Sequence, residues 1–390
     1  MNKNYLNIIL LVFLIIFSSI NTNAFEKNQQ EQYKISILSI GEGSSLADAF
    51  GHTGIRITDK NNDIVFNFGI YDYNAPNFYS NFVKGRPEYK LGIQDYKSFT
   101  QNYIKEKRYV IEHQLNLDED STRKIINLLL ENLKNPSYTY DYLRDNCATR
   151  VADILINESN NIPNIESINQ KSDNTYRKLI HSKINENSWS ALGIDLCLGA
   201  IMDKEIILKE TFFLPENLMN YLNEIEKESD SLIIKKTVYK PKITRKYTEN
   251  IPSPLLINLI FSLAIIILTI INIKNDNWTK LVDYLIFSIS GLIGFLIIYL
   301  WFFSNHFAGA QNFNFLWAFP FNFIFIFSIS KKNIPKWCLG YIKFLIILLS
   351  LLFLHWFTGV QKYNITLLPI FIALFIRYSF LVYQIKKIKK

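Results

Sequence analysis

The chain has 390 residues, a formal net charge of +8 and only three cysteines, Cys147, Cys197 and Cys338. So few cysteines exclude a disulfide-framed fold, and no basic groove interleaved with aromatics marks a nucleic-acid surface. Neither a metal-ligand cluster nor a glycine-rich phosphate cradle is visible, so no metal and no nucleotide cofactor is expected.

Residues 1–24 carry Lys3, an apolar run from Leu6 to Phe17 and a polar stretch ending Thr22-Asn23-Ala24. That three-part plan predicts a secretory signal peptide, with the following domain exported. Residues 25–222 mix strand and helix signals, as an α+β domain does. Lys34–Ile40 alternates like a strand and ends in Gly41-Glu42-Gly43; His52–Thr58 and Ile64–Phe68 flank a polar turn and read as a hairpin. Tyr89–Ile93 and Arg108–Leu115 are further strands with a helix between them. At Asp118 the pattern turns helical, with Asp118 as cap and Glu119 and Asp120 in the first turn. A second helix starts near Asn146 and has Ala148, Val151, Ala152 and Leu155 on its apolar side. Residues 223–254, rich in Lys and Glu, read as a solvated linker.

The region 255–390 predicts an all-α membrane domain of about five helices, at about 255–273, 281–303, 315–328, 339–357 and 365–383. The third is short and holds Pro320, which predicts a tilted, broken or re-entrant segment. Lys274 and Lys280 border the first loop, Lys331, Lys332 and Lys336 fill the third, and Lys386, Lys387, Lys389 and Lys390 form the tail. Loops two and four are nearly free of basic residues. By the positive-inside rule the soluble domain and loops two and four face outward, and the C-terminus is cytoplasmic. Arg377, a few turns from the tail lysines, reads as snorkelling. Trp301, Trp317, Trp337 and Trp356 read as interfacial belts.

Cys147 opens a helix, where unpaired amides and the helix dipole favour a thiolate and can receive an oxyanion. Asn146 precedes it, Arg150 lies on the same helical face and adds positive charge, and both are expected to support the thiolate or oxyanion. His52, between Gly51 and Gly54 on a strand, is the natural base for a thiol. Asn67, on the opposite strand of the hairpin, stands where an orienting amide is needed. The bland readings are a buried structural cysteine, a half-buried strand histidine and, in an oxidising compartment, a Cys147–Cys197 disulfide. His113 and His181 read as surface or packing residues.

Phe50-Gly51-His52-Thr53, Asn67-Phe68-Gly69, Asn77-Phe78, Tyr138-Thr139-Tyr140-Asp141 and Asp145-Asn146-Cys147-Ala148-Thr149-Arg150 resemble the Lnb-type lipoprotein N-acyltransferases. These are exported, circularly permuted papain-like (NlpC-like) domains, related in plan to lecithin:retinol acyltransferase, followed by a multispanning membrane region. The resemblance implies residence in the inner membrane with the catalytic domain periplasmic. It implies that Cys147 takes an acyl chain from a phospholipid as a thioester, with His52 as base. The chain then passes to the α-amine of a lipoprotein's N-terminal diacylglyceryl-cysteine. The same pair also suits a phospholipid acylhydrolase or a cell-wall cysteine peptidase, and an inert membrane scaffold is the non-enzymatic alternative.

Loops two and four repeat a pattern at a spacing of 50 residues, 307–314 (FAGAQNFN) and 357–364 (FTGVQKYN), each followed by a proline. Gln311, Asn314, Gln361 and Asn364, with His306 and His355 nearby, are expected either to bind lipid head groups or the acceptor, or simply to cap helix ends.

Overall fold

A computed structural model describes residues 33–160, 165–228, 233–243, 246–331 and 333–388. The expected signal peptide lies outside these residues. The first half contains strands β1 (Lys34–Ile40), β2 (His52–Thr58) and β3 (Asp63–Ile70), helix α1 (Phe78–Val83), β4 (Glu88–Asp95), α2 (Tyr96–Lys105), β5 (Val110–Leu115), α3 (Glu119–Lys134), β6 (Ser137–Thr139) and α4 (Cys147–Glu158). There follow α5 (Ile165–Ile168), β7 (Lys171–Thr175), α6 (Tyr176–His181), α7 (Trp189–Cys197), β8 (Glu205–Ile207), α8 (Pro215–Glu228) and β9 (Ile233–Tyr239). Seven strands form one antiparallel sheet in the order β6-β4-β3-β2-β1-β5-β9, while β7 and β8 pair separately.

Successive side chains of a strand point to opposite faces, and β1 at the centre of the sheet uses both. Ile35 and Ile37 enter the main core under α3, α4 and α8, with Leu129, Val151, Leu155 and Leu222. Leu38 and Ile40 meet Val65 and Phe99 under α2 on the other face. This explains why β1 reads as an apolar run. Asp118 caps α3 by accepting from the Ser121 amide, as its sequence position predicts.

The segment expected to be linker instead supplies β9, which pairs with β5 so that Ile233 lies opposite Leu115. Ile233 is buried, while Lys235 and Lys236 are exposed. An edge strand guarded by lysines looks in sequence like a solvated tether. Only the stretch from about residue 240 to 253 links sheet to membrane domain.

The membrane domain consists of α9 (Pro254–Lys274), α10 (Lys280–Phe302), α11 (Asn322–Ile329), α12 (Trp337–Thr358) and α13 (Leu368–Ile388). Four helices among the described residues are long and apolar enough to cross a membrane. The third expected segment is broken into a 3-10 turn, Phe313–Leu316, and the short α11. It still runs from one side to the other: Asn314 Nδ2 donates to Asp195 O of the sheet-bearing half, and Ile329 O at the far end accepts from Lys280 Nζ. A non-helical stretch at membrane depth is tolerated where protein surrounds it. Here Asn322 Nδ2 donates to Ser290 Oγ at 2.7 Å and Tyr341 Oη to Asn322 Oδ1 at 2.6 Å.

Arg377 does not snorkel. Its guanidinium is fully buried against Asp283, with Nε–Oδ1 2.7 Å and Nη2–Oδ2 2.8 Å, and donates further to Thr269 and Asn272. The pair ties α9, α10 and α13 together; Asp283, in the first turn of α10, supplies a partner closer than the water the tail lysines reach. Trp317 is buried too, donating to Asn314 Oδ1, so it belongs to the bundle core rather than to an interfacial belt.

Candidate active site

Asn146 is the N-cap of α4. Its Oδ1 accepts from the Ala148 and Thr149 amides at 2.9 Å each, and Thr149 Oγ1 accepts from the Asn146 amide. This reciprocal capping box fixes the helix start. Asn146 Nδ2 donates to Tyr142 O and Phe213 O, so the side chain has its hydrogen bonds committed. Its part is to hold the first turn, and any support of a thiolate or oxyanion passes through that helix start rather than through a free donor of its side chain. The Thr149 amide shares that commitment, the Ala148 amide is divided between Asn146 Oδ1 and the Cys147 sulfur, and the Cys147 amide has no acceptor among the described residues.

Cys147, the first residue of α4, is 6% exposed and faces His52 as a hydrogen-bond partner. His52 Nε2–H donates to Asn67 Oδ1 at 2.7 Å, and Asn67 Nδ2 donates to Gln94 Oε1 at 2.9 Å. With Nε2 so engaged, Nδ1 is the nitrogen left for the thiol. The three residues predicted as nucleophile, base and orienting amide are thus brought together in that order. Gln94 escaped sequence reasoning. It lies on β4 opposite Val65, diagonal to Asn67 on the same sheet face, and no local pattern marks it.

Burial pushes the Cys147 thiol up, but the His52 charge and hydrogen bond and the Thr53 and Ala148 amides overcome this, and the thiol lies below its ordinary value. For His52, burial acts against protonation, and the Cys147 charge and hydrogen bond together with the Asn67 bond outweigh it. Both shifts favour a thiolate–imidazolium pair, the reactive form of a cysteine nucleophile. Cys147 and Cys197 are both free, so the disulfide alternative fails. Burial pushes the Cys197 thiol up to about 11, which leaves it inert.

Gly69, at the bulge in β3, has φ +90°, and a Cβ there would stand 3.4 Å from Tyr140 Cε2 and 3.8 Å from Cys147 Cβ. A side chain would strain the bulge, because φ there lies in the left-handed region, and would rest in van der Waals contact beside Cys147. Arg150 does not lend its charge to sulfur. It forms a two-pronged pair with Asp145 at 2.5 and 2.8 Å and lies over the Tyr138 ring, so its charge is already neutralised.

The loop residues expected at a lipid site mostly serve to fasten the two halves of the molecule. Asn364 Nδ2 donates to Asp195 Oδ2 at 2.9 Å, and Asn314 Nδ2 to Asp195 O, so the equivalent asparagines of the repeat grip one residue of α7. Asn364 Oδ1 also caps the 3-10 turn at Ile365–Leu367, the capping role foreseen as the alternative. Gln361 is buried and accepts from the Phe313 amide, joining loop four to loop two. Gln311 contributes its carbonyl to the Ala200 amide. His306 Nε2 donates to Phe82 O of α1, and His355 stacks edge-on against Phe313.

Gly199 donates to Ala308 O, and a Cβ on it would fall 1.8 Å from Ala310 O, so backbone meets backbone there. Beneath lies a buried ion cluster: Arg177 pairs with Asp195 at 2.6 Å and Asp203 at 2.9 Å, and His181 Nε2 lies 3.0 Å from Asp195. Asp203 also accepts from the Lys362 amide. His181 and Asp203, unremarkable in sequence, are therefore interface residues.

A sheet domain that brings a cysteine, a histidine and an asparagine together is thus fastened to two loops of a helical domain long and apolar enough to lie in a membrane. Comparison with family models matches residues 21–182 to the Lnb N-terminal periplasmic domain and residues 246–389 to the Lnb transmembrane domain. The chain belongs to the Lnb family, and its sheet-bearing half is the periplasmic domain of a membrane enzyme of lipoprotein processing. No match was found among curated proteins or solved structures.

Proposed function

We propose that the protein is a lipoprotein N-acyltransferase of the inner membrane, with Cys147 as nucleophile, His52 as acid and base, and Asn67 orienting His52. The observation that carries this reading is the thiol–imidazole–amide alignment in a domain whose contacts with the membrane domain include loops two and four. The Cys147 thiolate attacks an ester carbonyl of a phospholipid. The oxyanion of the tetrahedral intermediate is within the domain of the unpartnered Cys147 amide. Collapse breaks the ester bond, and the departing lysophospholipid oxygen takes the proton from His52, leaving a thioester.

The acceptor is the α-amine of a diacylglyceryl-cysteine, partly neutral near its pKa of about 8. It attacks the thioester carbonyl, His52 takes an amine proton, and expulsion of the thiolate leaves an amide and restores the starting pair. The lysine-rich third loop and tail support a cytoplasmic C-terminus.

The test uses the full chain in vesicles with a labelled phospholipid, mass spectrometry of the Cys147 peptide, and then addition of a diacylated lipopeptide. Acyl label on Cys147 that moves to the lipopeptide amine supports the reading. Free fatty acid released at the same rate with or without lipopeptide indicates a hydrolase, and an unlabelled Cys147 removes both. Cleavage of cell-wall peptides by the same preparation would make it a peptidase.

A further inference from the structure

The surface between the membrane domain and Cys147 is aromatic and largely uncovered. Tyr71, Tyr73, Tyr79, Phe82, Val83 and Tyr142 are all exposed, Tyr79 at 69% and Tyr142 at 45%. A soluble face rarely presents so many large apolar rings side by side. These rings touch in sequence. His306 meets Phe82 at 6.2 Å between centroids, Phe82 meets Tyr142 at 6.2 Å, and Tyr142 meets Tyr140 at 5.1 Å. Tyr140 in turn borders the thiol across Gly69. A branch through Tyr89, stacked on Tyr140 at 4.1 Å, leads to Tyr71, Tyr73 and Phe78; Tyr71 and Phe78 line a cleft with Ile70, Asp72, Glu88 and Lys90.

One end of this strip is continuous with the lipid-facing surface. Phe302 and Phe303 stand exposed at the outer end of α10, and two residues later the Asn305 amide donates to Lys84 O at 2.9 Å while His306 holds Phe82 O. Helix α1 therefore lies beside the outer end of α10. Tyrosines with an apolar ring and a polar tip, beside Lys84 and Arg86 at the end of α1, match the composition of a membrane interface facing lipid head groups.

We propose that the strip from α1 to Tyr140 is a loading surface for the ester-linked acyl chain of a membrane phospholipid, guiding it from the outer leaflet to Cys147. This inference rests on the acyltransferase reading for its destination, but not for the binding itself. An acyl chain lying along the rings covers apolar area that otherwise faces water, while the basic residues at the strip's outer margin face the phosphate.

Two measurements test it. First, the full chain carrying Cys147→Ala is reconstituted in vesicles of phosphatidylethanolamine with a photoreactive diazirine in one acyl chain, and adducts are mapped after illumination. Adducts within 71–83 or 140–142, besides those on the membrane helices, are expected. Adducts confined to the membrane helices overturn the proposal, as does labelling of the strip by a diazirine-bearing diacylated lipopeptide but not by the phospholipid. Second, a Tyr79→Ser/Phe82→Ser variant is compared with the unaltered chain for acylation of Cys147 by vesicle phospholipid and by the water-soluble p-nitrophenyl butyrate. The ratio of phospholipid to butyrate loading should fall about tenfold or more; an unchanged ratio overturns the proposal. Strip adducts in a protein whose Cys147 accepts no acyl group would uphold the lipid surface and refute the acyltransferase reading instead.

Discussion

Asn67→Ala tests the site at its most specific joint. In the intact protein His52 Nε2–H donates to Asn67 Oδ1 at 2.7 Å inside the domain, and Asn67 is 8% exposed. That bond holds the ring so that Nδ1 meets the thiol, and it helps keep His52 protonated beside the Cys147 thiolate. A hydrogen bond to a charged group contributes about 1.5–3 kcal/mol, which is roughly a 10- to 150-fold change in the population of the reactive ion pair. Alanine cannot replace it, and among the described residues no other side chain bonds that nitrogen. Alkylation of Cys147 by iodoacetamide near neutral pH should slow by that factor. The rate should recover toward that of the unaltered chain as rising pH ionises the thiol without help from imidazole. Gln94→Ala, one hydrogen bond further out, should slow alkylation only a few-fold, a fraction of the loss seen for a bond made directly to the charged ring. If Asn67→Ala is alkylated at the unaltered rate with the same pH profile, the imidazole is held by something else and the assignment of Asn67 fails.

Removing Asp195 as Asp195→Ala should cost about 3–5 kcal/mol, because Arg177 is buried and keeps only Asp203 as an ionic partner. Thermal unfolding in detergent measures this, and an unaltered melting point would show the cluster to be energetically idle. The same cluster carries a pH signature: burial works against protonation of His181, and the Asp195 bond and charge outweigh it, so its folded pKa is raised. Its contribution is therefore complete below the unfolded value of about 6.5 and is lost as pH rises through the folded value. A thermal scan from about pH 6 to about pH 8.5 should show that loss, and His181→Gln should flatten it. In the bundle, Arg377→Met or Asp283→Leu alone should cost about 3–5 kcal/mol, whereas the double substitution should lie close to the unaltered protein. A double variant as unstable as the sum of the singles would show that the two do not act as a pair.

What was legible in the sequence is what local chemistry enforces. The strands at 34–40 and 52–58, the Asp118 cap and the Asn-Cys helix start follow from alternation, capping and turn residues within a few positions of each other. Cys147, His52 and Asn67 could be nominated because a hairpin register and a helix start constrain where their side chains go. Misreadings arose where a residue's meaning depends on a distant partner. Arg150 looks cationic until Asp145 is seen to neutralise it, and Arg377 looks like a snorkelling residue until Asp283 is found beside it 94 positions upstream. The lysine-rich stretch at 233–239 looks like a tether because an edge strand exposes one face and needs β5 to reveal it.

By itself the sequence determined the two-part plan, the membrane segments and the chemistry available at Cys147. Each of those depends on composition or on spacing within one element. Only the tertiary structure decided that the repeated asparagines of loops two and four close on a single aspartate, and that an aromatic strip joins the membrane edge to the thiol. All of those contacts but Tyr140–Tyr142 join residues more than fifty positions apart, where hydrogen bonds and ring packing follow from how whole elements are brought together.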